Sequence, residues 1–127
     1  MVFLEELPLQ CPPANAIEAS LTGAYRVVSC NQPTIKDFWS QAALGVPIRP
    51  IADPCKWRSC SMFLSRDKAI DIAGKLPKSR IRDPHLALVN ISPSDGRALV
   101  NAKTKHIDLW LSSTFNPAAA IVELEKV

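Results

Sequence analysis

At 127 residues, with 47% apolar and 21% charged side chains, the chain is long enough to bury a core and too apolar to stay disordered. No apolar run reaches the roughly 20 residues of a bilayer-spanning helix. A formal charge of +3 is small for a protein that tracks phosphates. Membrane partners are therefore not expected, and nucleic acid is an unlikely one. Glu5 and Glu6 stand where a secretory signal would carry basic residues, which predicts a cytoplasmic protein folding as one domain over residues 1–127. Eight basic residues between Lys56 and Arg82 face only Asp67 and Asp71. That stretch reads as a solvated surface, able to meet a phosphate or an acidic partner.

Cys11 to Ala19 opens on two prolines, which suit a first helical turn or a tight turn. After Gly23, Ala24 to Cys30 reads as a strand. Its Arg26 points opposite to Tyr25 and Val27 and needs a partner, since burying it unpaired is expensive. Thr34 and Asp37 approximate a capping box, and Ile35, Phe38, Trp39, Ala42 and Ala43 keep helical spacing up to Gly45. Val46 to Arg58 carries three prolines and reads as a long loop, a candidate rim or lid of a site.

Ser59 to Leu64 reads as a strand running through the N-cap Ser65 into a helix whose apolar face is Ala69, Ile70, Ala73 and Leu76. His85 to Ile91, Arg97 to Asn101 and Lys105 to Leu111 follow as strands, the first two separated by a turn at Ser92 to Gly96. The tail from Ala118 leans toward a strand. The expected class is α+β: a single mixed or antiparallel sheet with two or three short helices. Cys11, Cys30, Cys55 and Cys60 form no CxxC pair and lie far from both histidines. No metal is expected, and the four read as small buried thiols, with a redox role for Cys55 and Cys60 left open.

No phosphate loop, nucleophile elbow or metalloprotease motif is present. The chemistry-bearing residues that remain depend on the fold. His106 and Asp108 share one strand face, where a carboxylate can bias an imidazole, and they are the candidate catalytic pair. Arg26, Ser59 and Ser61 would line one cleft if their strands are neighbours; an arginine paired with Asp37 or Asp53 is the plainer arrangement.

The order of elements, a Tyr25-Arg26 strand, a helix, a proline-rich loop, a Ser61-x-Phe63 strand, a second helix and a further strand, resembles small ADP-ribosyltransferase-like domains over residues 24–91. That resemblance implies NAD as the ligand, with Tyr25 and Arg26 at the dinucleotide, Ser59 or Ser61 at the nicotinamide ribose and Trp57 stacking on a ring. The transferase glutamate has no clear counterpart, Glu123 and Glu125 being the late carboxylates and His106 a substitute. The chain also resembles a set of small uncharacterised bacterial proteins through Tyr25, Arg26, Asp37, Phe38, Cys55, Ser61, Phe63, His106 and Trp110. Two functions follow as expectations. One is an NAD- or nucleotide-binding domain, with or without catalysis. The other is a non-enzymatic interaction module of immunity, antitoxin or adaptor type, in which a partly exposed tryptophan marks the partner site.

Overall fold

A computed structural model of the chain describes residues 1–18 and 20–127. Alternating apolar and polar residues produce seven strands: β1 (Ile17–Glu18), β2 (Leu21–Val28), β3 (Cys60–Phe63), β4 (His85–Ile91), β5 (Gly96–Val100), β6 (His106–Leu111) and β7 (Ile121–Lys126). They form one antiparallel sheet in the order β1-β5-β6-β3-β2-β4-β7. Three short helices accompany it: α1 (Pro54–Trp57), α2 (Arg66–Lys75) and α3 (Pro117–Ala120). The class is α+β, with the sheet dominant and antiparallel throughout.

Period-two alternation gives the sheet two unlike faces. On one, Ala24, Val28, Cys60, Met62, Ala87, Val89, Ile107, Leu109 and Leu111 form the larger core, closed by Phe38, Phe115 and Ala120. Phe38 and Phe115 meet with ring centroids 5.1 Å apart. On the other face α2 lays Ala69 and Ala73 over Val27 and Leu86, with Tyr25, Phe63, Ile70 and Leu76 around them. The predicted Ser65 cap is present, its side chain accepting from the Lys68 amide at 3.3 Å. In β6, Ile107, Leu109 and Leu111 enter the larger core, while His106, Asp108 and Trp110 take the opposite face.

Between β2 and β3 the sheet nearly parts. The two strands are in register at one position, Tyr25 opposite Phe63, whereas β2 pairs with β4 over most of its length. Arg26 fills the opening. Its Nε donates to the Asp37 carbonyl at 2.9 Å, Nη1 to the Ser61 carbonyl at 2.7 Å and Nη2 to the Trp39 carbonyl at 3.2 Å. Through Nη1 the guanidinium thus supplies to β3 a donor that a continuous ladder would have offered.

The same three bonds explain why the helix expected over Ile35–Ala43 shortens to a single 3-10 turn, Ile35–Phe38. In an α-helix the Asp37 and Trp39 carbonyls would accept from the amides of Gln41 and Ala43. Here Arg26 occupies both, Trp39 is extended, and the Ala43 amide turns to the Ser40 hydroxyl at 3.1 Å. The Asp37 carboxylate is engaged elsewhere, by the Ser29 amide and hydroxyl and the Thr34 amide. Arg26 therefore uses the main chain of Asp37 rather than its charge.

Of the helical turn or tight turn expected from Cys11, the structure keeps the turn, the Ala16 amide donating to the Pro13 carbonyl at 3.0 Å before the chain enters β1; Ala19, the end of that expected segment, lies outside the described residues. The tail begins with α3 before turning into β7, as Asn116 caps the Ala118 amide and Pro117 takes the first helical position.

Replacing Arg26 with Met should leave three part-buried carbonyls without a donor, at about 1–3 kcal/mol for a strongly affected group. Urea denaturation is expected to show R26M destabilised by about 3 kcal/mol, with R26K intermediate because an ammonium cannot fork to all three oxygens. Gly96 offers a second check. A Cβ there would run into the Trp110 carbonyl oxygen on β6, so G96A is expected to lower the melting temperature.

Candidate functional site

By strand alternation Arg26 faces the larger core, whereas Ser61, in register with Asp108, faces the opposite side. The contact between the two residues is made by the Ser61 carbonyl, not its hydroxyl. Tyr25 lies with Phe63 beneath α2. The expected cleft of Arg26, Ser59 and Ser61 is therefore divided by the sheet itself, while Tyr25 shares the serine face but is covered by α2. Arg26 serves the scaffold, and the serines open elsewhere.

On the serine side, Ser59 is buried. Its hydroxyl lies 2.7 Å from the Lys56 carbonyl and 3.1 Å from Asp108 Oδ1. His106 Nδ1 lies 3.8 Å from the same carboxylate oxygen, beyond hydrogen-bond length. The His106 ring meets Phe63 edge-on at 5.3 Å. The carboxylate thus stands between hydroxyl and imidazole. Activation of a serine needs the imidazole beside the hydroxyl, and here the Asp108 carboxylate occupies that place.

Trp57 has a more open setting. Asp53 caps α1, its carboxylate accepting the Cys55 amide at 2.8 Å, with Pro54 at the first helical position. The Trp110 indole, buried under this helix, donates to the Cys55 carbonyl at 3.0 Å and fixes α1 to β6. Held there, Trp57 is half-buried and forms a wall of two hollows. One is a pocket of about 160 Å³ lined by Gln41, Ala52, Asp53, Lys56, Trp57, Ser59 and Ser61. The other is a surface groove of about 570 Å³ that runs between Glu6, Leu7 and Pro8, the Ala42–Ile48 loop, and Pro54, Trp57 and Arg58. Leu9, Leu44, Ile48 and Ile51 are exposed, Leu9 and Ile51 almost completely.

The structure therefore brings Trp57, Ser59 and Ser61 together at one pocket, places Asp108 against Ser59, and leaves Tyr25 and Arg26 apart from them. Cys11 and Cys55 form a disulfide across 44 positions. This corrects the reading of four reduced thiols, of which Cys30 and Cys60 remain free. Sequence reasoning also missed α1, although Asp53-Pro54 is a helix-start signal. The groove was legible only as a proline-rich rim, because its opposite wall comes from the N-terminal segment. Among the described residues no cluster of three or more His, Cys, Asp or Glu side chains is placed to hold a metal. No described helix is long and apolar enough to cross a membrane.

The chain matches no family model, no curated protein and no solved structure.

The free thiols give a direct test of this packing. Burial pushes the Cys60 thiol up, partly offset by the positive charge of Arg26, while Cys30 is only half-buried. Iodoacetamide at mildly alkaline pH is expected to label Cys30 in the native protein and Cys60 only after unfolding, as read by peptide mass spectrometry.

Proposed function

We propose that the chain is a non-enzymatic protein-interaction module, of adaptor, immunity or antitoxin type, that takes an apolar segment of a partner protein into the groove beside Trp57. The half-buried Trp57, standing among Leu7, Pro8, Val46, Ile48 and Pro54 at a groove of about 570 Å³, carries this reading. Tryptophan and arginine are typical interface anchors, and apolar side chains gathered on a surface and edged by charge are typical of docking faces. Here Arg58 and Glu6 line the same groove, so charge is balanced there and the attraction is chiefly apolar. The two other tryptophans leave Trp57 as the best placed anchor, because Trp110 is buried and bonded to α1 and Trp39 lies beside Lys36.

The nucleotide reading rests on one observation, the shared pocket of Trp57, Ser59, Ser61 and Lys56. In that reading the layout is ADP-ribosyltransferase-like and the ligand is NAD. At about 160 Å³ the pocket is below the several hundred Å³ of sites that enclose ligands of that size. A phosphate would also have to compete with three carbonyls for Arg26. The disulfide favours an oxidising compartment over the cytoplasm expected from the N-terminal residues.

Panning a displayed random-peptide library against the oxidised chain should yield binders rich in aliphatic or proline residues. Their affinity should fall at least about tenfold for W57A, the loss of roughly 1.4 kcal/mol expected of an anchor. Peptides indifferent to W57A would overturn the assignment. NAD is expected to leave the melting temperature unchanged. Saturation at 100 times a dissociation constant would add roughly 2.7 kcal/mol of stability and favour the nucleotide reading instead.

A further inference from the structure

The two walls of the groove come from distant parts of the chain. Glu6, Leu7 and Pro8 belong to the N-terminal segment, and Pro54, Trp57 and Arg58 to α1 and its end. Up to Glu5 the N-terminal segment is held by the sheet and its loops: Leu4 donates to the Leu111 carbonyl, Val2 accepts from Ser113, and the Glu5 carboxylate takes the Ser40 amide and hydroxyl. Beyond Ala16, β1 pairs with β5. Between these anchors, among the described residues, the hydrogen bonds of Glu6 to Ala16 are local ones, from Cys11 to the Pro8 carbonyl and from Ala16 to the Pro13 carbonyl. The covalent tie from this span to the rest of the molecule is the bond from Cys11 to Cys55, supplemented by the burial of Ala16 at its end. Cys55 is anchored independently, since Trp110 holds its carbonyl. Both cysteines are half-buried, within reach of a thiol reagent.

We infer that the Cys11–Cys55 disulfide is a redox latch that assembles the docking groove by fastening its Glu6–Pro8 wall to α1. The inference rests on the docking reading above for its biological meaning. Closure is thiol–disulfide exchange: the Cys11 and Cys55 thiols give up two protons and two electrons as their S–S bond forms. A disulfide-bearing oxidant takes these up as its own S–S bond breaks into two thiols. A dithiol reductant runs the reaction backwards. Because α1 stays bonded to Trp110, opening frees the N-terminal span and leaves the sheet intact. The groove is then available to a partner in an oxidising compartment and is dismantled in a reducing one.

Hydrogen exchange by mass spectrometry on the full chain, oxidised and after reduction with a phosphine, reads the latch without any partner. Reduction is expected to speed exchange of the hydrogen-bonded amides of the 6–16 span, Cys11 and Ala16, at least about tenfold while β4 keeps its protection. It should also raise acrylamide quenching of Trp57, taken as the difference from a W57F variant. C11S should reproduce the reduced state. If that variant does not fold, reduction of the folded wild-type chain gives the same comparison. Unchanged exchange over 6–16 would overturn the latch. Loss of β4 protection together with that of 6–16 would also overturn it, because the bond would then be a staple of the whole fold. A peptide selected on the oxidised chain is expected to bind at least about tenfold more weakly after reduction. Equal binding in both states would sink the latch and leave the docking reading standing. Peptides indifferent to W57A would sink the docking reading while the exchange result still decides the latch.

Discussion

One guanidinium decides how the centre of this sheet is built. Arg26 lies on the strand next to β3, yet reaches the Ser61 carbonyl with its side chain, and it takes the Asp37 and Trp39 carbonyls with its remaining donors. A charge in that position is tolerable because its N–H groups meet oxygens in a fixed fork, which a lysine could not match. The cost falls on local regularity. The segment from Ile35 has the spacing of a helix but makes a single 3-10 turn, and the chain after Trp39 is released to form the Ala42–Ile48 side of the groove. Scaffold and candidate site are thereby coupled through main-chain oxygens.

Much of the fold was legible because local and tertiary preferences agree. Ser65 with Ala69 and Ala73, the run from His85 to Ile91, and the alternation of His106 to Leu111 each specify one element, and the structure keeps all three. Periodicity overextends the helix from Ile35 because it reports which residues prefer one face, not which carbonyls a distant arginine claims. The tail was half legible: the strand preference of Ile121 to Leu124 holds in β7, but Asn116-Pro117 starts a helical turn first.

The site was less legible than the fold. Trp57, Ser59 and Ser61 do share a pocket, as strand and loop order suggested. Proximity of strands groups Arg26 with them, but alternation places its side chain across the sheet from the serines. That consequence depends on register, which sequence alone leaves free. The pairing of Cys11 with Cys55 had no local signature at all. Two cysteines 44 positions apart meet once the N-terminal segment is tied to the end of β6, through the Phe3–Ser112 bridge, near the helix that Trp110 anchors.

The outer strands of the sheet bear on how the molecule meets others. At one margin β1 has two residues, too short a template for another chain to extend. At the other, β7 places exposed Glu123, Glu125 and Lys126 along its length, and Arg66 reaches from α2 to hold Glu125 through two nitrogens. Short or charged margins discourage strand-by-strand growth. Contacts with other molecules are thereby directed away from backbone templating and toward side-chain recognition on the broad surfaces, where sequence, not merely extended conformation, decides which neighbour is accepted.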